Sequence, residues 1–161
     1  MNAEQKRIIG ELYQEMFDKL MVYARVNLDS ESLAEEAVQD TFRIACQKPE
    51  DVCNSRNPQG WLVNTLKNTI RNMKSSRATA KRIVETYMMT QLREFSITED
   101  RINLNVLYEN VADTEEFRLL SEMAVEGRSH EEMARSRGIT ISACKKRVQR
   151  AKEILQRRIK I

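Results

Sequence analysis

Chemistry in this chain concentrates near its C-terminus. From Thr140 to Arg158, Lys145, Lys146, Arg147, Arg150, Lys152, Arg157 and Arg158 stand against one acid, Glu153. Ammonium and guanidinium groups in such number neutralise phosphate, and beside Thr140, Ser142 and Gln149 they can also hydrogen-bond base edges. The spacing says how they are carried. Ser129 followed three residues later by Glu132 is a capping box, which opens a helix. Gly138 ends it, because only glycine takes φ > 0 without strain. Thr140 offers a second N-cap, and Cys144, Val148, Ala151 and Leu155 then recur at spacings of four, three and four, as one buried stripe. A short helix, a glycine turn and a longer basic helix make a helix-turn-helix, whose second helix enters the DNA major groove. The competing reading is a pair of surface helices with a merely solvated basic face. The cap, the small packing residue Ala134, Gly138 four residues later and the one-sided charge together favour DNA.

A second basic zone lies upstream. From Trp61 to Val84 come Lys67, Arg71, Lys74, Arg77, Lys81 and Arg82 with no acid, and Lys67, Arg71, Lys74 and Arg77 share one helix flank. From Ile97 to Glu116 the balance inverts, with Glu99, Asp100, Glu109, Asp113, Glu115 and Glu116 against Arg101 alone. The net charge is only +3, so segregation of charge matters more than its total. Two basic zones around an acidic middle suggest two separate contacts with nucleic acid.

An enzyme is not expected. There is one histidine (His130), no glycine-rich phosphate loop and no pair of catalytic carboxylates in an apolar setting. Cys46, Cys53 and Cys144 have no zinc spacing and suggest no disulfide framework, so neither metal nor cofactor is expected; a redox role for Cys46 and Cys53 is the minor alternative. The start MNAEQKRIIGEL lacks the apolar core of a signal peptide, and no apolar run approaches membrane-spanning length. A cytoplasmic protein without membrane insertion is expected.

The supporting elements follow from periodicity. Four Gly and two Pro among 161 residues leave few turns, so the class is all-α. A first helix is expected over 4–28, with Ile8, Ile9, Leu12, Met16, Leu20, Tyr23 and Leu28 as its apolar set. Ser32 and Glu35 read as a capping box for a second helix, about 31–47, burying Ala34, Ala37, Val38, Thr41 and Ala45 and showing Glu35, Glu36, Gln39, Asp40 and Arg43. Residues 47–57 read as a polar loop, and Asn57-Pro58 as the N-cap and first position of a third helix over 58–77, with Trp61, Leu62, Leu66, Ile70 and Met73 inward. A linker helix carries Val84, Tyr87, Met88, Leu92 and Phe95, and a flexible acidic connection spans 96–113. Asp113 with Glu116 opens the next helix, which bears Phe117, Leu120, Met123 and Ala124 and ends near Gly127. The organisation is two small helical domains, 1–77 and 113–161, joined by a linker over 78–112.

Three of these segments resemble one family. GITISACKKRVQRAKEIL looks like the closing domain of extracytoplasmic-function (ECF) sigma factors of bacterial RNA polymerase, matching at Gly138, Ile139, Thr140, Lys145, Arg147, Arg150 and Ala151. LAEEAVQDTF (33–42) is similar to the family's acidic helix, and NPQGWLVNTLKNTIRN (57–72) to its helix beginning Pro and Trp-Leu, with Asn68 at the family's Asn. Departures are Ala143-Cys144 where Thr-Val is usual, Lys146 for a small residue, Asn72 where Asp is common, and Val111-Ala112-Asp113 in place of Leu-Pro.

The resemblance implies a protein without catalytic residues that lends promoter specificity to core polymerase. Glu35, Glu36, Gln39, Asp40 and Phe42 would dock on the polymerase clamp helices by complementary charge, against the plain alternative of a solvated helix face. Lys67, Arg71 and Lys74 would track the opened non-template strand at the −10 element, while Asn54, Ser55, Arg56 and Asn57 hydrogen-bond an extruded base. Trp61 sits in the apolar set and reads as core rather than as a stacking platform, and the alternative for Asn68 is a structural hydrogen-bonder. Thr140, Ser142, Lys145, Lys146, Arg147, Gln149 and Arg150 would read or grip the −35 element. The implied partners are core polymerase, promoter DNA and an anti-sigma factor, with no small-molecule substrate. Two alternatives stay open: a conventional helix-turn-helix regulator acting without polymerase, and a sigma-like adaptor that binds polymerase without opening promoters.

Overall fold

The computed structural model describes residues 1–98 and 114–159, and these are helices and turns with no strand among them. They form two compact units divided between Ser75 and Ser76.

In the first unit, α1 (Ala3–Asn27) opens on a cap not anticipated from the sequence. Asn2 Oδ1 accepts the Gln5 N–H at 2.8 Å and Gln5 Oε1 accepts the Asn2 N–H at 3.0 Å, a reciprocal capping box. The second helix, α2 (Glu31–Gln47), is capped by Ser30 rather than by the expected Ser32–Glu35 box. Ser30 is the residue in extended backbone (φ −138°, ψ 151°), and its hydroxyl accepts the Leu33 N–H. Glu31 therefore falls in the first turn, where the helix dipole favours a carboxylate, and Arg25 pairs with it at 2.7 Å.

The expected loop over 47–57 contains a short helix, α3 (Pro49–Cys53). It has proline at its start, acids in its first turn and Val52 fully buried as its anchor. Five residues are too few to display a period, which is why the sequence reads as loop. α4 begins at Pro58 with Asn57 as its cap, Oδ1 accepting the Gly60 N–H at 3.0 Å. A Cβ on Gly60 would come within 2.5 Å of the Asn57 amide, so the glycine makes room for the cap. Helices α1, α2 and α3 pack on one another, and Leu62, Leu66 and Ile70 of α4 complete the core with Ile9, Leu12, Leu20, Val38 and Phe42.

α4 does not stop at 77 but runs Pro58–Thr98, in keeping with the lack of any Gly or Pro there. Beyond the division its inward residues Ala80, Ile83, Val84 and Tyr87 belong to the second unit's core. The segment from 78 onward is thus core-forming through Tyr87, not only a connector. Residues 96–98 continue α4, and the rest of the expected acidic connection, 99–113, lies outside the described residues, as do Val111, Ala112 and Asp113.

The second unit continues with α5 (Glu115–Ala124), whose N-cap position is Thr114. α6 (His130–Arg137) and α7 (Ile141–Ile159) form the helix-turn-helix. Ser129 and Glu132 make the expected capping box, and Gly138 stands in left-handed conformation at φ 63°, ψ 34°. The Gly138 and Ile139 N–H groups donate to the carbonyls of Arg135 and Ala134, closing the end of α6. Thr140 Oγ1 accepts the Ala143 N–H at 3.1 Å, the second cap read from the sequence. Cys144, Val148, Ala151 and Leu155 are all buried, against Phe117, Leu120, Met123 and Met133. Arg137 fastens α6 to α5: two of its N–H groups reach Glu122 at 2.9 Å each and Nε reaches Glu115 at 2.8 Å, while Arg128 also holds Glu122.

Candidate nucleic-acid interface

With one stripe of α7 buried, the helical period puts Ser142, Lys146, Gln149 and Glu153 on the opposite side, and all four are exposed. Lys145 is half-buried on one flank. Thr140 is exposed at the N-terminus, its oxygen engaged in the cap. Arg147 and Arg150 are exposed on the other flank. There, with Glu115, Glu116, Leu119, Ala151 and Ile154, they line a cleft of about 230 Å³ between α5 and α7. The expected reading set is therefore brought together along α7 and its cap but divided between the outward face and the two flanks. An outward hydroxyl, ammonium and amide face suits base edges and phosphates, while the two arginines sit beside carboxylates that temper their charge.

Lys152 leaves the basic face altogether. Its Nζ donates to Ser76 Oγ at 2.7 Å and to the Ser76 carbonyl at 3.4 Å, and burial pushes its pKa below the ordinary lysine value. Arg157 and Arg158 remain exposed. The sequence does not reveal this difference, because Lys152 differs from its neighbours only in which way the helix turns it.

In the first unit, Lys67, Arg71 and Lys74 are exposed along one flank of α4, with the Lys67 ammonium 5.9 Å from the centre of the Tyr23 ring. Arg77, the fourth member of that run, lies beyond the division and is half-buried. Of the preceding residues, Asn54 and Arg56 are exposed. Ser55 and Asn57 are committed locally: Ser55 Oγ accepts the Asn57 N–H at 3.2 Å, and Asn57 caps α4. Trp61 is half-buried against the core, as its place in the apolar set implied, and Asn68 is exposed.

On α2, Glu35 and Gln39 are exposed and Glu36 and Asp40 half-buried, with Asp40 3.2 Å from Arg43. Phe42 does not belong to this row. It is 5% exposed, a core residue whose ring centre lies 4.7 Å from that of Tyr13. At 100° per residue Phe42 falls with Val38 and Ala45 on the buried stripe, which the acidic motif obscures. Missed from sequence was a groove of about 440 Å³ between α1 and α2, lined by Ile9, Gly10, Tyr13, Gln39, Phe42 and Arg43. It arises from how two helices pair, and no local signal marks it.

Among the described residues no cluster of His, Cys, Asp or Glu could hold a metal. None of Cys46, Cys53 and Cys144 is in a disulfide, and burial pushes the Cys53 thiol up, away from the reactive thiolate. No helix among the described residues is long and apolar enough to cross a membrane. Comparison with family models, curated proteins and solved structures gives no match.

Proposed function

We propose that this chain is a sigma factor of the extracytoplasmic-function type, cytoplasmic, which directs bacterial core RNA polymerase to specific promoters and helps open the −10 element. The observation that carries the proposal is a pairing within one chain. One unit bears a capped helix-turn-helix with Ser142, Lys146 and Gln149 outward; the other bears an acid and amide row on α2, with Glu35 and Gln39 exposed, and a cationic flank on α4. In this role Glu35, Glu36, Gln39 and Asp40 dock on a basic surface of core polymerase, with Phe42 supporting the row from beneath. Lys67, Arg71 and Lys74 follow the displaced strand's phosphates, and Asn54 and Arg56 are the loop residues best placed for an unstacked base. Thr140, Ser142, Lys145, Lys146 and Gln149 meet the −35 duplex, with Arg147 and Arg150 gripping phosphate from the flank. No residue is assigned to catalysis, and no cofactor or small-molecule substrate enters the mechanism. An anti-sigma partner belongs to the proposal through the family resemblance alone.

The test is transcription from fragmented genomic DNA by bacterial core polymerase with and without the protein, mapping transcript starts. The expected result is new discrete starts sharing two upstream elements, lost in a Gln39→Ala, Asp40→Ala variant. The second reading, a duplex-binding regulator independent of polymerase, is favoured by one observation: the helix-turn-helix sits in a unit with a core of its own. No new starts, with duplex binding intact in a shift assay, would leave that reading standing.

A further inference from the structure

Two isoleucines flank Thr140, and the fold treats them differently. Ile139 packs against the second core. Ile141, the first residue of α7, is absent from that cluster and leaves 45% of its surface exposed. It stands between Thr140 and Ser142 and one turn before Lys145, so a stiff β-branched apolar group is exposed at the helix start. The N-terminal residues of a recognition helix are those that contact base edges in the major groove. The apolar group that bases display there is the C5-methyl of thymine. Apart from the smaller C5–H of cytosine, the other edges are donors or acceptors that an isoleucine would strip of water without replacing the hydrogen bond.

We propose that Ile141 is a specificity-determining residue that contacts a thymine C5-methyl in the upstream promoter element, next to the bases met by Ser142 and Lys145. The inference rests on the DNA-reading role proposed above and adds a base identity to it. The side chain's χ1 is already restricted in a helix, so ordering it against a methyl costs little rotamer entropy.

The test uses the full chain bound to bacterial core polymerase, selecting duplexes randomised across the upstream element. Wild type, Ile141→Val and Ile141→Ser are run in parallel, with helicity checked by circular dichroism. Wild type and Ile141→Val should fix thymine at one position that Ile141→Ser relaxes, with the other positions unchanged. On the selected duplex, deoxyuridine in place of that thymine removes only the methyl. It should weaken wild type about fourfold, the effect of burying one carbon, and leave Ile141→Ser unmoved. The same thymine fixed by all three proteins, or an equal deoxyuridine penalty in wild type and Ile141→Ser, overturns the assignment and leaves the DNA-reading role standing. Enrichment of no sequence by wild type overturns that role and this inference with it.

Discussion

At Gly138 an added Cβ would meet no atom within 4 Å, yet the backbone stands at φ +63°. Alanine there has space but the wrong torsion, so Gly138→Ala should cost about 1–2 kcal/mol in urea unfolding, with Asn less costly than Ala. Gly10 inverts the sign. It lies inside α1, has no positive φ and also meets nothing within 4 Å, so Gly10→Ala should raise stability by about 0.5–1 kcal/mol. Equal shifts of the urea midpoint in the same direction for both variants would contradict this account. Ser121 offers a third case: its hydroxyl is buried and, among the described residues, has no hydrogen-bond partner. Ser121→Ala removes an unsatisfied group and adds helix propensity, so the melting temperature should rise rather than fall. Legibility at this scale depends on whether a residue announces its backbone state. Gly138 does, by type and by place. Phe42 does not, since an aromatic beside an acidic row fits a docking motif and a buried stripe equally well until the partner helix is seen.

Beside their shared apolar core, α5 and α6 are linked by ionic contacts. Glu122 accepts from Arg137 and Arg128, and above all the Arg137 hydrogen bonds hold its carboxyl below the ordinary glutamate pKa. The same contacts raise the Arg137 pKa, with Glu122 the largest cause and Glu115 adding to it. A carboxylate depressed on folding contributes stability that is fully present above its unfolded pKa and is lost as pH falls through the folded one. Wild type should therefore weaken as pH falls below the ordinary glutamate range, and Glu122→Gln should flatten that dependence. At neutral pH the variant should be less stable by about 1–3 kcal/mol, because it leaves Arg137, 14% exposed, short of a charge-assisted partner. The comparison is thermal melting of both proteins from neutral pH downward; parallel curves would mean that Glu122 contributes nothing through its charge. None of this was visible in the sequence, where Glu122 and Arg137 stand fifteen residues apart with no motif between them. Caps are a middle case. Ser129–Glu132 and Thr140 were legible because hydrophobic periodicity begins right behind them. At Asp29-Ser30-Glu31-Ser32 two serines compete, and only the backbone, extended at Ser30, distinguishes them.

Among the described residues the two cores share no member: one draws on positions 9–70 and the other on 80–155. The sequence suggested two domains from the change of charge and the two motif groups. It read 78–112 as a linker, whereas Ala80, Ile83, Val84 and Tyr87 belong to the second core. What separates Ile70 from Ala80 is which core each joins, a tertiary fact with no local signature. The division at Ser75/Ser76 has a direct consequence, since cutting there leaves every member of each core on its own fragment. Fragments 1–75 and 76–161 should each unfold cooperatively in urea and keep the helical circular dichroism of their part. Each m-value should scale with the surface that fragment exposes. The second fragment also keeps the Lys152–Ser76 hydrogen bonds, so Lys152→Met tested in that fragment should lower its stability. A fragment that binds a hydrophobic dye and melts without a sigmoidal transition would show that its core depends on the other unit. If both fold, α4 does two jobs with one uninterrupted helix, and each unit's surface can be assayed without the other: 1–75 for polymerase binding, and 76–161 for duplex binding that falls steeply with salt.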